Sequence, residues 1–236
     1  MVERSTGLVE TELEDQLDQP LPMVRMLFSQ GMTAIAFLLT ALALLPLLSV
    51  LIEILRQGVP HLTWQVLTSL PAPVGSKDVS SGFANAIVGT LTMVGLGSLI
   101  SIPIGVLAAI YLSEFGKQST IARSLRFVIT ILSGIPSIVV GVFVYGVVVL
   151  AVRSFSAVAG GFALAVIMLP IVTLSTEEAL KLVPIPQRLA SAALGSSNFQ
   201  TTLRVVMAAA LPGITMGILL AIARAAGETA PLIFTA

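Results

Sequence analysis

An arginine, a glutamate and a proline stand close together in one apolar run near the end of this sequence. The stretch ARAAGETAPLIFTA (223–236) places Arg224 and Glu228 four residues apart. In a helix, that spacing puts both side chains on one face and within pairing distance. Pro231 cannot donate to the carbonyl of Gly227, which predicts a freed backbone acceptor in a kinked helix. Ionisable groups are costly inside a membrane, so the pair is expected to face the protein interior or a water-filled path.

The composition indicates an integral membrane protein. Of 236 residues, 56% are hydrophobic and only 10% are charged, whereas a soluble domain carries about a quarter charged residues. Long apolar runs favour helices, because a barrel would show alternating segments of about ten residues. The net charge of zero gives no support to nucleic-acid binding. The absence of cysteine excludes disulfides, and the single histidine, His61, excludes paired-histidine metal sites.

Five apolar runs predict an all-α polytopic bundle with five membrane-spanning helices. The spans are expected at 32–56, 84–112, 127–152, 157–174 and 205–236. Between them we expect an acidic tail (1–31), an extracytoplasmic loop (57–83) with a short interfacial helix near Trp64, a polar connection (113–126) and a polar amphipathic segment (175–204). Pro103 is expected to kink the second span, and Gly134 and Pro136 are weak points of the third.

The basic residues predict an N-terminus on the cytoplasmic side, because loops rich in Lys and Arg stay there. With that orientation, eight basic residues lie inside: Arg4, Arg25, Lys117, Arg123, Arg126, Lys181, Arg188 and Arg204. Three lie outside: Arg56, Lys77 and Arg153. The 175–204 segment is then cytoplasmic, and Glu177 and Glu178 are expected in the first turn of a helix there, where acids suit the helix dipole.

The cytoplasmic segment shows a helix, a glycine and a second helix. Leu189, Ala192 and Ala193 fall on one helical face, and Gly195 then interrupts the pattern. Ser and Asn at 196–198 can cap a new helix that begins near Phe199. Two interpretations remain open at this point: an interfacial linker helix and a helix that docks on a partner.

This segment resembles the cytoplasmic loop of ABC importer permeases, whose pattern is E-A-A, three residues, G, nine residues, I-x-L-P. Gly195 matches the glycine, Ala190 the first alanine, and Val205 stands at the isoleucine position. The departures are Leu189 for the glutamate, Ser191 for the second alanine, and Met207 and Ala208 for Leu-Pro. In that family the loop forms a coupling helix that inserts into the ATPase subunit. The resemblance implies such a role for Arg188, Ala190, Ser191, Gly195, Ser196 and Phe199.

The closing stretch resembles the signature of the PstA-type permeases of bacterial phosphate ABC importers. AIVGTL (86–91), IPIGVLAAIYLSEF (102–115) and LPGITMGILLAI (211–222) are similar as well, so the resemblance covers about two thirds of the chain, the part designated the permease domain (84–236). It implies a type I importer permease fold in the bacterial inner membrane. It also implies a PstC-type permease, a PstB-type ATPase dimer and a PstS-type phosphate-binding protein as partners. The family continues past this stretch to a sixth span, so we expect a C-terminal truncation.

The resemblance gives the charged pair a role in phosphate passage. Arginine suits phosphate contacts, and a carboxylate that competes for it would aid release. The candidate path residues are Arg224, Gly227, Glu228, Thr229 and Pro231. Gly213 and Gly217 lie four residues apart on the same predicted helix, a spacing that suits close helix packing.

We expect this chain to be a transport subunit rather than an enzyme, and to bind no cofactor itself. FGKQS (115–119) lacks the upstream glycine of a nucleotide-binding loop, so ATP and magnesium are assigned to the partner ATPase. One alternative is a secondary anion transporter or channel, which would work alone under an ion gradient. Others are an ABC permease for a different oxyanion, or a scaffold subunit that tolerates neutral replacement of Arg224 and Glu228.

Overall fold

The computed structural model describes residues 23–72, 82–116 and 119–236. The acidic residues at 1–22, the part of the loop at 73–81, and Lys117 and Gln118 of the FGKQS stretch lie outside the described residues. Within the described ranges the chain is helical and contains no strand, which confirms the all-α class. It divides into two units, Met1–Leu67 and Thr68–Ala236, which are described separately.

The described part of the first unit is dominated by one long helix, α1 (Met23–Gly58). Its 36 residues reach about 54 Å, more than the hydrocarbon core of a bilayer. None of its side chains is buried, and apolar residues cover every face, as expected of a helix in lipid. The helix begins at Met23, ahead of the predicted span at 32–56, and its first residues include the apolar Met26, Leu27 and Phe28. A 3₁₀ turn (Val59–His61) and the predicted short helix, α2 (Trp64–Thr68), follow it.

The second unit is a bundle built around one central helix. Its elements are α3 (Ala84–Phe115), α4 (Thr120–Gly134), α5 (Ser137–Val152), α6 (Ala157–Lys181), α7 (Ile185–Ala193), α8 (Asn198–Ala226) and a 3₁₀ turn (Leu232–Phe234). Helices α3, α4, α5 and α8 all pack against α6. The fully buried Leu164, Met168 and Val172 of α6 form the centre of the core.

Small residues let α8 approach α6 closely. A Cβ added at Gly213 would lie 2.9 Å from the Ala179 Cβ, and one added at Gly217 would lie 2.6 Å from the Ser175 Cβ. Both distances are shorter than an ordinary van der Waals contact between carbons. The predicted close packing at this glycine pair is confirmed.

The third predicted span is bent rather than straight. Helices α4 and α5 meet at 103° across a break at Ile135 and Pro136. Proline forces the residue before it out of the helical region, and Ile135 is accordingly extended, with ψ at 128°. The predicted weak points are therefore confirmed, but the start at 127 is wrong, because Ser119 caps α4 and the helix begins at Thr120. Four described helices are long and apolar enough to cross a membrane, or five if α4 and α5 make one crossing.

The ends of the last two predicted spans are also corrected. Helix α6 continues to Lys181, so Glu177 and Glu178 lie near its C-terminal end and not in the first turn of another helix. No helix breaker occurs between Pro170 and Pro184, so nothing stops α6 at residue 174. Helix α8 begins at Asn198, next to the predicted start near Phe199, and continues without a break into the predicted span at 205; it ends at Ala226, with Gly227 as its C-cap.

Candidate functional site

Arg224 and Glu228 form an ion pair at the end of α8. The Arg224 Nε lies 3.5 Å from the Glu228 Oε1, and the two side chains are 61% and 16% exposed. The predicted pairing is confirmed, but the two residues do not share a helical face, because Glu228 follows the end of the helix. A turn keeps them close: the Glu228 amide donates to the Ala225 carbonyl at 3.2 Å. The arginine therefore belongs to the last turn of a helix, whereas the carboxylate belongs to the turn that follows it.

The segment after α8 packs along α5. The Ser156 amide donates to the Thr235 carbonyl at 3.2 Å, and Pro231 and Thr235 are buried. A Cβ added at Gly141 of α5 would lie 2.7 Å from the Pro231 Cα. Pro231 thus introduces a 3₁₀ turn and does not kink a continuing helix, which corrects the sequence-based interpretation. Gly227 and Thr229, the other two candidate path residues, are exposed.

A cavity of about 120 Å³ lies where the α4–α5 break meets α6 and the end of α8. Arg224 lines it, and the hydroxyl-bearing residues Ser133 and Ser137 flank the break. The remaining lining residues are apolar: Leu132, Ile135, Val140, Ile167, Pro170 and Ile171. The volume suffices for several water molecules or a small anion beside a guanidinium. Sequence reasoning flagged the break at Gly134 and Pro136 but did not connect it with Arg224.

The predicted pattern of helix, glycine and helix after α6 is confirmed. After α7, Gly195 adopts φ +82°, a left-handed conformation that glycine tolerates. Ser197 and Gln200 then form a reciprocal capping box at the start of α8. The Ser191 Oγ lies 2.9 Å from the Thr201 Oγ1 and ties α7 to the first turn of α8. We call residues 185–201 the coupling segment.

The coupling segment presents an apolar surface that nothing in the described chain covers. Leu189, Leu194 and Phe199 are 65%, 87% and 61% exposed. Of the other candidate residues, Ala190 and Gly195 are exposed and Ser196 is partly exposed. Ser191 is buried, and the side chain of Arg188 is only 19% exposed. These two residues face the interior of this chain.

The structure adds a network of charges that sequence reasoning missed. Arg126 of α4 donates to the Glu177 Oε1 at 3.1 and 2.7 Å, and the Lys181 Nζ lies 2.8 Å from the same oxygen. The Glu177 side chain is 4% exposed. Arg188 of α7 pairs with Glu114 in the last turn of α3. The partners stand 51 and 74 residues apart in sequence, so no local pattern could pair them.

Comparisons with known proteins agree with this architecture. A family profile described as "Binding-protein-dependent transport system inner membrane component" matches residues 101–236. The "Phosphate transport system permease protein PstA" of Haemophilus influenzae is 43% identical over 206 residues, which are 87% of this chain and 72% of that protein. The "Probable phosphate transport system permease protein PstA" of Methanocaldococcus jannaschii is 39% identical over 213 residues, covering 90% and 74%.

The fold is similar to that of a solved transporter. A chain of the MetNI methionine ABC transporter in an inward-facing conformation superposes with a TM-score of 0.54. The match covers 61% of this chain and 70% of that chain, at 23% sequence identity. At that identity the likeness concerns the fold: the α3–α8 bundle has the architecture of a type I importer permease.

Proposed function

This chain belongs to the family of binding-protein-dependent transport system inner membrane components and is a multi-pass membrane permease, and we propose that it imports inorganic phosphate as one half of an ATP-driven translocation path. The relatives named as phosphate permeases are about 40% identical over nearly the whole chain, which supports phosphate as the cargo. We further propose the bacterial inner membrane and a cytoplasmic N-terminus, in agreement with the distribution of basic residues.

Arg224 is the proposed phosphate contact. The observation that supports it is the cavity beside the α4–α5 break, which Arg224 lines together with Ser133 and Ser137. Glu228 is held to Arg224 by one contact of 3.5 Å, too long for a strong charge-assisted hydrogen bond. An anion that offers two oxygens can therefore displace it, and the carboxylate can later compete for the guanidinium and promote release.

The coupling segment is the proposed contact with a partner ATPase. Its exposed apolar residues, Leu189, Leu194 and Phe199, would be covered in such an interface. Hydrolysis of ATP and binding of magnesium are assigned to a PstB-type dimer, and this chain contributes no covalent chemistry. A PstC-type permease would supply the other half of the path, and a PstS-type protein would deliver phosphate. Closure of the ATPase dimer would move the coupling segment and switch the bundle between an inward-facing and an outward-facing conformation.

The test is phosphate uptake by the whole complex in proteoliposomes. We expect Arg224→Gln to lower the uptake rate at least about tenfold, because a charged hydrogen bond contributes about 1.5–3 kcal/mol. Arg224→Lys should retain part of the rate, since it keeps the charge but loses the bidentate geometry. Arg123→Gln removes an exposed arginine of α4 and serves as the control. Wild-type uptake by Arg224→Gln would contradict the assignment of the phosphate contact.

A further inference from the structure

The charge network lies where the C-terminal ends of α3 and α6 meet α4 and α7. Two arginines hold the network together, and each of them pairs with a carboxylate on another helix. Arg126 of α4 reaches Glu177 of α6, and Arg188 of α7 reaches Glu114 of α3. The two carboxylates are 4% and 8% exposed, whereas the Arg126 and Arg188 side chains are 39% and 19% exposed. Arg188–Glu114 is therefore the pair better shielded from the solvent that weakens surface ion pairs.

The same two arginines also bind backbone carbonyls at helix ends. The Arg126 Nη2 donates to the Leu112 carbonyl of α3 at 3.0 Å, and the Arg188 Nη2 donates to the Leu180 carbonyl of α6 at 2.7 Å. The last carbonyls of a helix have no partner within it and carry the negative end of the helix dipole. Each guanidinium thus fastens two other helices at once, one by a carboxylate and one by a carbonyl.

Arg188 is the part of this network that belongs to the coupling segment. One of its terminal nitrogens is engaged by Glu114 and the other by Leu180, so the guanidinium is directed into this chain. The exposed side chains of the segment are its apolar neighbours, such as Leu189. A second bond, from Ser191 to Thr201, holds α7 to the start of α8. Arg188 and Ser191 therefore attach α7 to three helices of the bundle, α3, α6 and α8.

We propose that the Arg188–Glu114 pair is the strut through which a displacement of the coupling segment is transmitted to α3, with Arg126–Glu177 holding α4 and α6 to the same unit. Arg188 is then a positioning residue and does not contact the ATPase. The inference rests on the proposed function, because it assumes that an ATPase displaces α7. If α7 slid past α3, the Glu114 carboxylate would stay buried and lose its guanidinium, so the two helices move together.

The experiment uses the complete complex in proteoliposomes and measures phosphate imported per ATP hydrolysed. Arg188→Gln and Glu114→Gln are each expected to lower this ratio at least fivefold. The double reversal Arg188→Glu with Glu114→Arg is expected to restore part of the wild-type ratio, because it rebuilds the ion pair but not the bond to the Leu180 carbonyl. Arg123→Gln, an exposed arginine outside the network, is the matched control and should leave the ratio unchanged. Loss in Arg188→Gln alone, with Glu114→Gln unaffected and no rescue by reversal, would overturn the strut.

A cross-linking variant covers the case in which a single buried charge prevents folding. The chain has no cysteine, so Glu114→Cys with Arg188→Cys introduces one unique pair and removes both charges. Without a cross-linker, the double-cysteine variant should import little phosphate per ATP hydrolysed. Cross-linking its two cysteines with a short bismaleimide should restore phosphate import per ATP. If bridging abolishes import instead, α7 must move relative to α3 and the strut is refuted. Phosphate import by the wild-type complex is measured in parallel. If the wild-type complex imports no phosphate, the proposed function fails, whatever the cross-linked variant does.

Discussion

Gly141 of α5 offers a sharp test of how the segment after α8 is held. A Cβ added there would lie 2.7 Å from the Pro231 Cα and 3.0 Å from the Pro231 carbonyl oxygen. Ordinary contacts between carbons lie at about 3.5–4.0 Å, so Gly141→Ala must displace the Pro231 backbone by about 1 Å. Both opposing atoms belong to the main chain of a turn that is buried against α5, so no side-chain rotation relieves the clash.

The magnitude follows from comparison with Gly146 on the same helix. A Cβ at Gly146 meets nothing within 4 Å. Both substitutions replace a helical glycine and share a propensity gain of about 1 kcal/mol, so their difference isolates the clash. Overpacking costs about 1–3 kcal/mol. For a chain of this size, each kcal/mol shifts the unfolding temperature by about 2–4 °C.

The assay is thermal unfolding of the purified subunit in detergent, followed by phosphate uptake by the complete complex. We expect Gly141→Ala to unfold about 2–12 °C below Gly146→Ala. Phosphate uptake should fall as well, because movement of Pro231 also moves the turn that holds Glu228 beside Arg224. Equal unfolding temperatures for the two variants would refute the packing of this segment against α5, and with it the placement of Glu228.

Two further predictions concern other glycines. Gly195→Glu should lower phosphate import per ATP, because the residue needs φ +82° and lies at the exposed turn of the coupling segment; Gly195→Asn, which tolerates that conformation better, should retain more coupling. Equal coupling in the two variants would contradict this. Gly217→Ala should lower the unfolding temperature of the complex, since its Cβ would lie 2.6 Å from the Ser175 Cβ and force α8 away from α6. Gly95→Ala on α3 is the control: its Cβ would meet nothing within 4 Å, so the unfolding temperature should not fall.

Much of the architecture was predictable because membrane helices are long and apolar. Runs of about 20 apolar residues identify spans without any knowledge of their neighbours. Local signals also sufficed for the coupling segment, where Gly195 and the Ser197–Gln200 capping box act within a few residues. The pairing of Arg224 with Glu228 was predictable for the same reason, since the two residues are four positions apart.

Helix ends were less predictable, because apolar composition alone does not mark them. The apolar run continues to residue 236, yet α8 ends at Ala226, where Gly227 caps it and Pro231 prevents its continuation. Conversely, the segment that begins at residue 175 is too charged to predict a span, yet its Glu177 belongs to α6 and is buried in the bundle. Its carboxylate is accommodated there because Arg126 and Lys181 neutralise it.

The sequence by itself determined the class, the approximate spans, the family and the residues of the charged pair, because each depends on composition or on neighbours along the chain. Only the tertiary structure brought the α4–α5 break beside Arg224 and directed Arg188 to Glu114 rather than to the surface. Both arrangements depend on how α6 orients the helices around it, and contacts between residues 74 positions apart leave no periodic trace in the sequence. Burial then decides which charges are held inside the bundle and which remain available to a partner.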